Sequence, residues 1–409
     1  MRLLYNLGIG LFELGVRLAA PFNRRASLII KGRSKVWERL GSCDLEGKVV
    51  WVHCASLGEF EQGRPLIEAI KEKHPDYKIV LSFFSPSGYE VRKNYDKADV
   101  VVYLPSDTFK NAQRFVKAIN PCHVYFIKYE YWFHYFKELN RARIPIYSVS
   151  SIFRKDQVFF KWYGYWFRKI LGYVTRFYVQ DEQSANLLMN IGLNNFIIAG
   201  DTRFDRVRTI AEKSAELRFV DDFVIDSRVI VAGSSWPQDE IILADFINRT
   251  SKDVKCIIAP HEVHEAHILA IIERFNCRVC RYSNITEAIP KETRVLIIDT
   301  IGLLSSIYRY GSVAYIGGGF GKGIHNTLEA ATYGMPVIFG PHYKKFKEAR
   351  DLIDRGAGFS ITGKDEFNVL MERLWSPVSD SELQSSGDAA LEYVQSMCGA
   401  TSIILKETF

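Results

Sequence analysis

Short runs of β-branched and aromatic residues recur along the chain, and between them apolar residues return every three or four positions. Runs at 49–53, 79–83, 100–104, 124–127, 144–149, 177–179 and 196–199 make a first set of expected strands; runs at 229–232, 256–259, 295–298, 313–316 and 337–339 make a second. Helical periodicity fills stretches between them such as 62–73 and 111–119. Strands joined by right-handed helical crossovers build parallel sheets covered on both faces. The pattern therefore predicts an α/β architecture of two doubly wound domains. Segment 205–227 is charged and has no strand run, which places the hinge there. The expected division is a helical segment over 1–40, a first domain over 41–205, a second over 206–385 and a C-terminal helix over 386–409. In such sheets ligands collect at the carboxyl ends of strands, so the informative motifs are those that follow a run.

Positions 3–22 break the alternation. They are mostly apolar, yet Arg2, Asn6, Glu13 and Arg17 recur at spacings that fall on one narrow stripe of a helix. Charges at Glu13 and Arg17 argue against a bilayer crossing, which takes about 20 apolar residues. The expectation is a helix lying in a membrane surface, with Arg24 and Arg25 near anionic headgroups. An amphipathic helix packed on the protein itself is the other reading. The interrupted apolar core disfavours a cleaved signal peptide.

Length and composition agree with a globular chain of two cores: 409 residues, 47% hydrophobic and 24% charged. The net charge of +6 suits an anionic surface or ligand, but the excess is too small to imply nucleic acid. Seven scattered cysteines fit reduced thiols in a cytoplasm. Cys277 and Cys280 form a CxxC without a second pair, which argues against zinc.

The segment 312–348 carries an apolar run, a loop containing Gly317, Gly318, Gly319, Gly321 and Gly323, the step Asn326-Thr327-Leu328-Glu329 into a helix, and a second apolar run. A strand feeding a glycine loop and a helix start can hold a phosphate through backbone N–H groups. Glu329 repels a phosphate and is better suited to accept hydrogen bonds from a ribose. The glycines match neither the dinucleotide fingerprint nor a P-loop, so a plain βα loop with a cap at Asn326 remains open.

Other strand ends carry titratable groups. Glu59 follows the first run in Ser56-Leu-Gly-Glu59, either as a functional carboxylate or as half of a capping box. Glu130 follows the run 124–127, either at a site or paired with Lys128. Arg203 follows 196–199 and offers a cation, with a plain surface arginine as the alternative. Pro260 and His261 end the run 256–259. The spacing of His261, His264 and His267 spreads the imidazoles around a helix, and Glu265 occupies the position where the HExxH zinc pattern needs histidine. No metal is expected; His261 is placed beside a phosphate, and His264 and His267 at the surface. The stretch 153–178 interleaves aromatics with Arg154, Lys155, Lys161, Arg168, Lys169 and Arg176, which suits a lipid headgroup surface or, alternatively, a buried helix with a solvated face.

Together these motifs resemble the Kdo transferases, which move 3-deoxy-D-manno-octulosonic acid (Kdo) from CMP-Kdo to a lipid A precursor. The likeness rests on Ser56-Leu-Gly-Glu59, Glu130-Tyr-Trp, Gly200-Asp-Thr-Arg203-Phe-Asp205, Ala259-Pro260-His261, Asp299-Thr-Ile301-Gly302 and His325-Asn326-Thr327-Leu328-Glu329. It implies a GT-B fold, with two Rossmann-like domains facing a central cleft, the first binding the acceptor and the second the CMP-sugar. It also implies an inverting enzyme of lipopolysaccharide biosynthesis that needs no metal or other cofactor and works on the cytoplasmic face of the bacterial inner membrane. Glu59 would be the general base. Glu130 and Arg203 would stabilise the transition state. Pro260, His261, Ile301, Gly302, Leu303, Asn326, Thr327, Leu328 and Glu329 would line the CMP site. Two departures stand out: Arg203 where many relatives have lysine, and Leu303 where the family pattern has glutamate. A GT-B transferase using a nucleoside diphosphate sugar and a non-catalytic, membrane-docked binding protein are the alternatives.

Overall fold

Each apolar run of the sequence pairs with its neighbours in parallel, and the result is two seven-stranded sheets. The computed structural model describes residues 1–214, 216–251, 253–376 and 380–409. The chain forms two units, one of Met1–Arg206 with Cys398–Phe409 and one of Val207–Met397.

In the first unit the strands are β1 (Val49–Cys54), β2 (Lys78–Phe83), β3 (Val100–Tyr103), β4 (His123–Ile127), β5 (Ile146–Ser151), β6 (Arg176–Val179) and β7 (Phe196–Ile198). Their order is β3-β2-β1-β4-β5-β6-β7. After β1 the chain moves outward through β2 and β3, then returns to place β4 on the other side of β1. The crevice at the carboxyl ends of β1 and β4 is therefore a topological switch point. Every residue of β1 is buried, as helices on both faces require.

The second unit holds β8 (Arg228–Ser235), β9 (Val254–Pro260), β10 (Arg278–Arg281), β11 (Thr293–Ile297), β12 (Val313–Ile316), β13 (Val337–Phe339) and β14 (Gly358–Ser360), in the order β10-β11-β9-β8-β12-β13-β14. Its switch point lies at β8, between β9 and β12. Strands β10 and β14 were not expected. Both are edge strands with polar or small ends, and an edge needs no continuous apolar run.

The N-terminal segment folds as α1 (Arg2–Ala19), α2 (Arg24–Ser34) and α3 (Val36–Gly41). α1 meets the protein through Tyr5 and Asn6. Asn6 is 2.7 Å from the His134 ring, and the Tyr5 hydroxyl donates to Asp107 at 2.5 Å. The opposite face is apolar and open: Leu3, Leu7, Leu11, Leu14 and Leu18 are all exposed, and no residue of α1 is buried. Among the described residues no single helix is long and apolar enough to cross a membrane; α1 and the helical stretch after it pass that test only as a pair bent by 115°.

The segment 386–409 is not one helix. Helix Asp380–Ser396 stops before Gly399, whose φ of +117° favours glycine, and helix Ala400–Thr408 follows. Asp205 anchors that last helix by accepting the N–H groups of Gly399 and Thr401 at 2.5 and 2.7 Å. Thus the chain's end belongs to the first unit. The basic aromatic stretch is likewise not a buried helix. It forms two short turns and the helix Tyr165–Leu171, with Trp162 90% exposed and Trp166 packed on Tyr5 of α1.

Candidate active site

β1 ends into α4 (Leu57–Lys73), whose first turn carries Glu59. Ser56 caps this helix without a side-chain hydrogen bond, so the serine arm of a capping box is missing. The glutamate arm exists, because the Ala55 and Ser56 backbone N–H groups both hold the Glu59 carboxylate. Glu59 is only 7% exposed. Burial raises its pKa, opposed by the Ala55 N–H, the Lys128 charge and the Ser56 N–H.

β4 ends at Ile127, and the next residue, Lys128, takes a left-handed φ of +64° that turns the chain toward Glu130. Glu130 is pushed up to about 7, first by burial and then by the negative charge of Glu59, with the Trp132 indole acting the other way. Lys128 is thus a charge partner of Glu59, and the structure brings Glu59 and Glu130 together at the switch point. Two carboxylates that repel one another, one of them near neutral pH, can take up and hold a proton.

Arg203 sits in the first turn of helix Thr202–Lys213, after β7. Its Nε and Nη2 both reach Asp201 Oδ2 at 2.9 Å, and Asp201 also accepts the Gln62 amide at 2.9 Å. Burial acts to raise the Asp201 carboxyl, but Arg203 outweighs it and holds it low. Gln62 lies in α4, three residues after Glu59, and its carbonyl accepts the Thr202 hydroxyl at 2.5 Å. The guanidinium is therefore braced to the helix that carries Glu59, a planar contact that lysine would not reproduce.

In the second unit, loops after β8, β9 and β12 converge on a ring stack. Trp236 lies on His261 with centroids 4.7 Å apart, and His261 on His325 at 4.5 Å. The Trp236 indole N–H donates to His325 Nε2 at 3.2 Å, and burial with the neighbouring His261 lowers His325 to about 4. The stack is therefore a π surface in which His325 is kept neutral, with His261 at its centre. Below it Asp239, 1% exposed, accepts the N–H groups of Trp236 and Gly318 at 2.9 and 3.0 Å and the Tyr315 hydroxyl at 2.9 Å.

That arrangement favours the plain βα-loop reading of the glycines. The N–H groups of Gly317, Gly318, Gly321, Gly323 and His325 are all spent inside the protein, on Gly233, Asp239, Gly318 twice and Gly317. A Cβ on Gly317 would lie 2.2 Å from the Ser234 carbonyl oxygen, and one on Gly319 would lie 2.5 Å from Gly340 N. These glycines let three strand-end loops close on one another. The helix after them is short, Leu328–Ala331. Asn326 Oδ1 accepts the Leu328 N–H at 3.1 Å and its amide donates to Glu329 at 2.9 Å, so both expected residues meet at the turn; Thr327 and Leu328 are buried beneath.

Pro260 closes β9 and the His261 N–H donates to Ser235 O at 3.0 Å. Ile301 projects with 85% exposure from the turn after β11, Gly302 has φ +98°, and Leu303 caps the helix Leu304–Ile307. His264 is exposed as expected, but His267 is not: its side chain is 9% exposed, 3.0 Å from the buried Glu240. Trp236 and Asp239 had no individual signal in the sequence, since their roles depend on loops far away along the chain. No cluster of three or more His, Cys, Asp or Glu side chains among the described residues could hold a metal ion.

Solved structures similar to this chain include a putative UDP-N-acetylglucosamine 2-epimerase from Listeria monocytogenes, with TM-score 0.58 and 16% identity over 88% of this chain and 95% of that one. MurG from Acinetobacter baumannii is similar at TM-score 0.54 and 12% identity, over 88% and 99%. At such identities the likeness concerns the fold, and that fold is GT-B. Residues 34–206 match the family model described as 3-Deoxy-D-manno-octulosonic-acid transferase (kdotransferase). The 3-deoxy-D-manno-octulosonic acid transferase of Aquifex aeolicus is 26% identical over 336 residues, covering 80% of this chain and 86% of that protein. The protein of the same name from Rickettsia felis is 25% identical over 365 residues, covering 85% and 76%. The chain is thus similar over most of its length to glycosyltransferases named 3-deoxy-D-manno-octulosonic acid transferases, and over residues 34–206 to the model of that family.

Proposed function

We propose that the protein transfers Kdo from CMP-Kdo to a lipid A precursor, with inversion and without a metal, on the cytoplasmic face of the bacterial inner membrane. The observation that carries this reading is the Glu59–Glu130 pair at the switch point of the first unit, with Glu130 near 7. Glu59 is the general base: its carboxylate takes the proton of an acceptor sugar hydroxyl as that oxygen bonds to the anomeric carbon and the bond to the CMP phosphate breaks. Glu130 sets the charge around Glu59, and Arg203 supplies positive charge where negative charge develops.

CMP is assigned to the second unit, where Trp236, His261 and His325 offer an aromatic stack. Pro260, the turn 301–303 and Asn326 to Glu329 would complete that site. With the loop amides of Gly317 and Gly318 already committed, the phosphate is assigned to His261. An acceptor with acyl chains in a bilayer calls for a docked enzyme, and the open leucine face of α1 with exposed Trp162 supports docking. The test is incubation of the purified protein with CMP-Kdo and a tetraacylated lipid A precursor, with mass spectrometry of the lipid. A product heavier by Kdo supports the proposal. Transfer from a UDP-sugar instead, or no transfer from either donor, would refute it.

A further inference from the structure

Between α1 and α2 lies a cavity of about 250 Å³, lined by Glu13, Val16, Arg17, Ile29, Ile30, Arg33 and Ser34. Its wall includes a guanidinium whose hydrogen bonding is half complete. Arg33 Nη1 donates to Ser106 Oγ at 2.7 Å, and the cation lies 5.1 Å from the centroid of the Phe84 ring. Nε and Nη2 are buried and have no hydrogen-bond partner. Buried polar groups are normally satisfied, because each N–H left without an acceptor carries its full desolvation cost. The two unsatisfied atoms form one edge of the guanidinium fork, the edge that matches a pair of oxygens on one phosphorus or carbon.

We infer that this cavity binds the phosphate of an anionic bilayer phospholipid, with Arg33 as its bidentate anchor and Arg17 at its rim. Charge favours an anion, since the two arginines outweigh Glu13, the one carboxylate in the lining. Position favours a lipid as its carrier. The cavity borders α1, which exposes Leu3, Leu7, Leu11, Leu14 and Leu18 away from the protein. A helix with such a face settles at the boundary of headgroups and acyl chains, which puts the groove beside it at headgroup depth. The inference rests on the membrane docking proposed for α1, but needs neither nucleotide nor transfer.

The test uses the full chain in flotation with vesicles of phosphatidylcholine alone and of phosphatidylcholine mixed with phosphatidylglycerol. Arg33→Gln should bind the mixed vesicles about fivefold more weakly, the effect of one basic residue near an anionic surface, and bind phosphatidylcholine as the parent does. Arg33→Lys keeps the charge without the fork and should restore only part of the loss. Exposed Arg17→Gln gives a second reading where Arg33→Gln fails to fold, and should weaken binding to the mixed vesicles. Equal binding by the parent and Arg33→Gln overturns the site. So does full restoration by Arg33→Lys, which would indicate diffuse surface charge, and so does release by millimolar inorganic phosphate, which would make free phosphate the ligand. If the parent protein itself fails to float, the docking reading fails first.

Discussion

Glu59 and Glu130 stand at the ends of the adjacent strands β1 and β4, and the negative charge of Glu59 helps push Glu130 up to about 7. Neither residue needs the other to hold the fold. Glu59 is tied to the start of α4 by backbone N–H groups, and Glu130 follows the left-handed turn at Lys128. Two independently placed, buried carboxylates, one raising the proton affinity of the other, cost stability, and such cost is characteristic of working sites.

Replacing Glu59 by Gln isolates the base. The amide oxygen still accepts the Ala55 N–H, so α4 keeps its start. CMP affinity, measured by calorimetry, should stay unchanged while transfer falls by roughly 10²–10⁴-fold. Transfer at the parent rate would remove Glu59 from the chemistry.

The pair also predicts a pH dependence. A protonated base is inactive, so kcat/KM should rise with pH along an acid limb governed by the coupled carboxylates. Glu130→Gln removes one negative charge and should move that limb to lower pH. Stability runs the opposite way. Between the ordinary glutamate value of 4.5 and about 7 the folded protein keeps a proton on Glu130 that the unfolded chain releases. The stabilising contribution is full below that window and lost through it as pH rises. Urea unfolding at several pH values should show a steeper fall for the parent than for Glu130→Gln.

What was legible in the sequence follows from burial. Central strands such as β1 and β8 are covered on both faces, so they read as apolar runs. Edge strands β10 and β14 are half open and left no such trace. Of the site, Glu59, Glu130, Arg203 and His261 could be placed because each directly follows a recognisable run. The Trp236–His261–His325 stack joins three loops and has no local signature. His267 looked superficial because its partner, Glu240, lies on another helix. The glycine loop was ambiguous for a different reason: glycine serves both close phosphate approach and close backbone packing, and only the hydrogen bonds tell the two apart.

Those hydrogen bonds make Gly317 testable. An alanine there would push Cβ against the backbone of Ser234, which cannot yield as a flexible side chain can. Gly317→Ala should lose about 1–3 kcal/mol of stability by urea unfolding, the usual cost of overpacking. If these glycines instead served mainly to cradle phosphate, the variant would keep its stability and lose only CMP affinity.

Metal removal distinguishes the proposed chemistry from a cation-assisted one. With proton transfer assigned to Glu59 and positive charge to Arg203, exhaustive treatment with EDTA should leave the initial rate of Kdo transfer unchanged. A rate that collapses with chelation and returns with a divalent cation would require a different mechanism.

The leucine face of α1 can be separated from the fold it is attached to. Leu7 and Leu11 are 58% and 59% exposed, while the helix is held from its other side by Tyr5 and Asn6. Glutamate at either position should therefore change global stability by no more than about 0.5 kcal/mol. On a bilayer the outcome differs, because each leucine inserted contributes about 1.5–3 kcal/mol of apolar burial. Leu7→Glu and Leu11→Glu should each bind phosphatidylcholine vesicles at least about tenfold more weakly, a loss visible without any anionic lipid and thus separate from the Arg33 cavity. The KM for a lipid acceptor in vesicles should rise in step, while CMP affinity stays constant. Unchanged flotation would mean that the bilayer contacts another surface, and the exposed leucines would need a different partner.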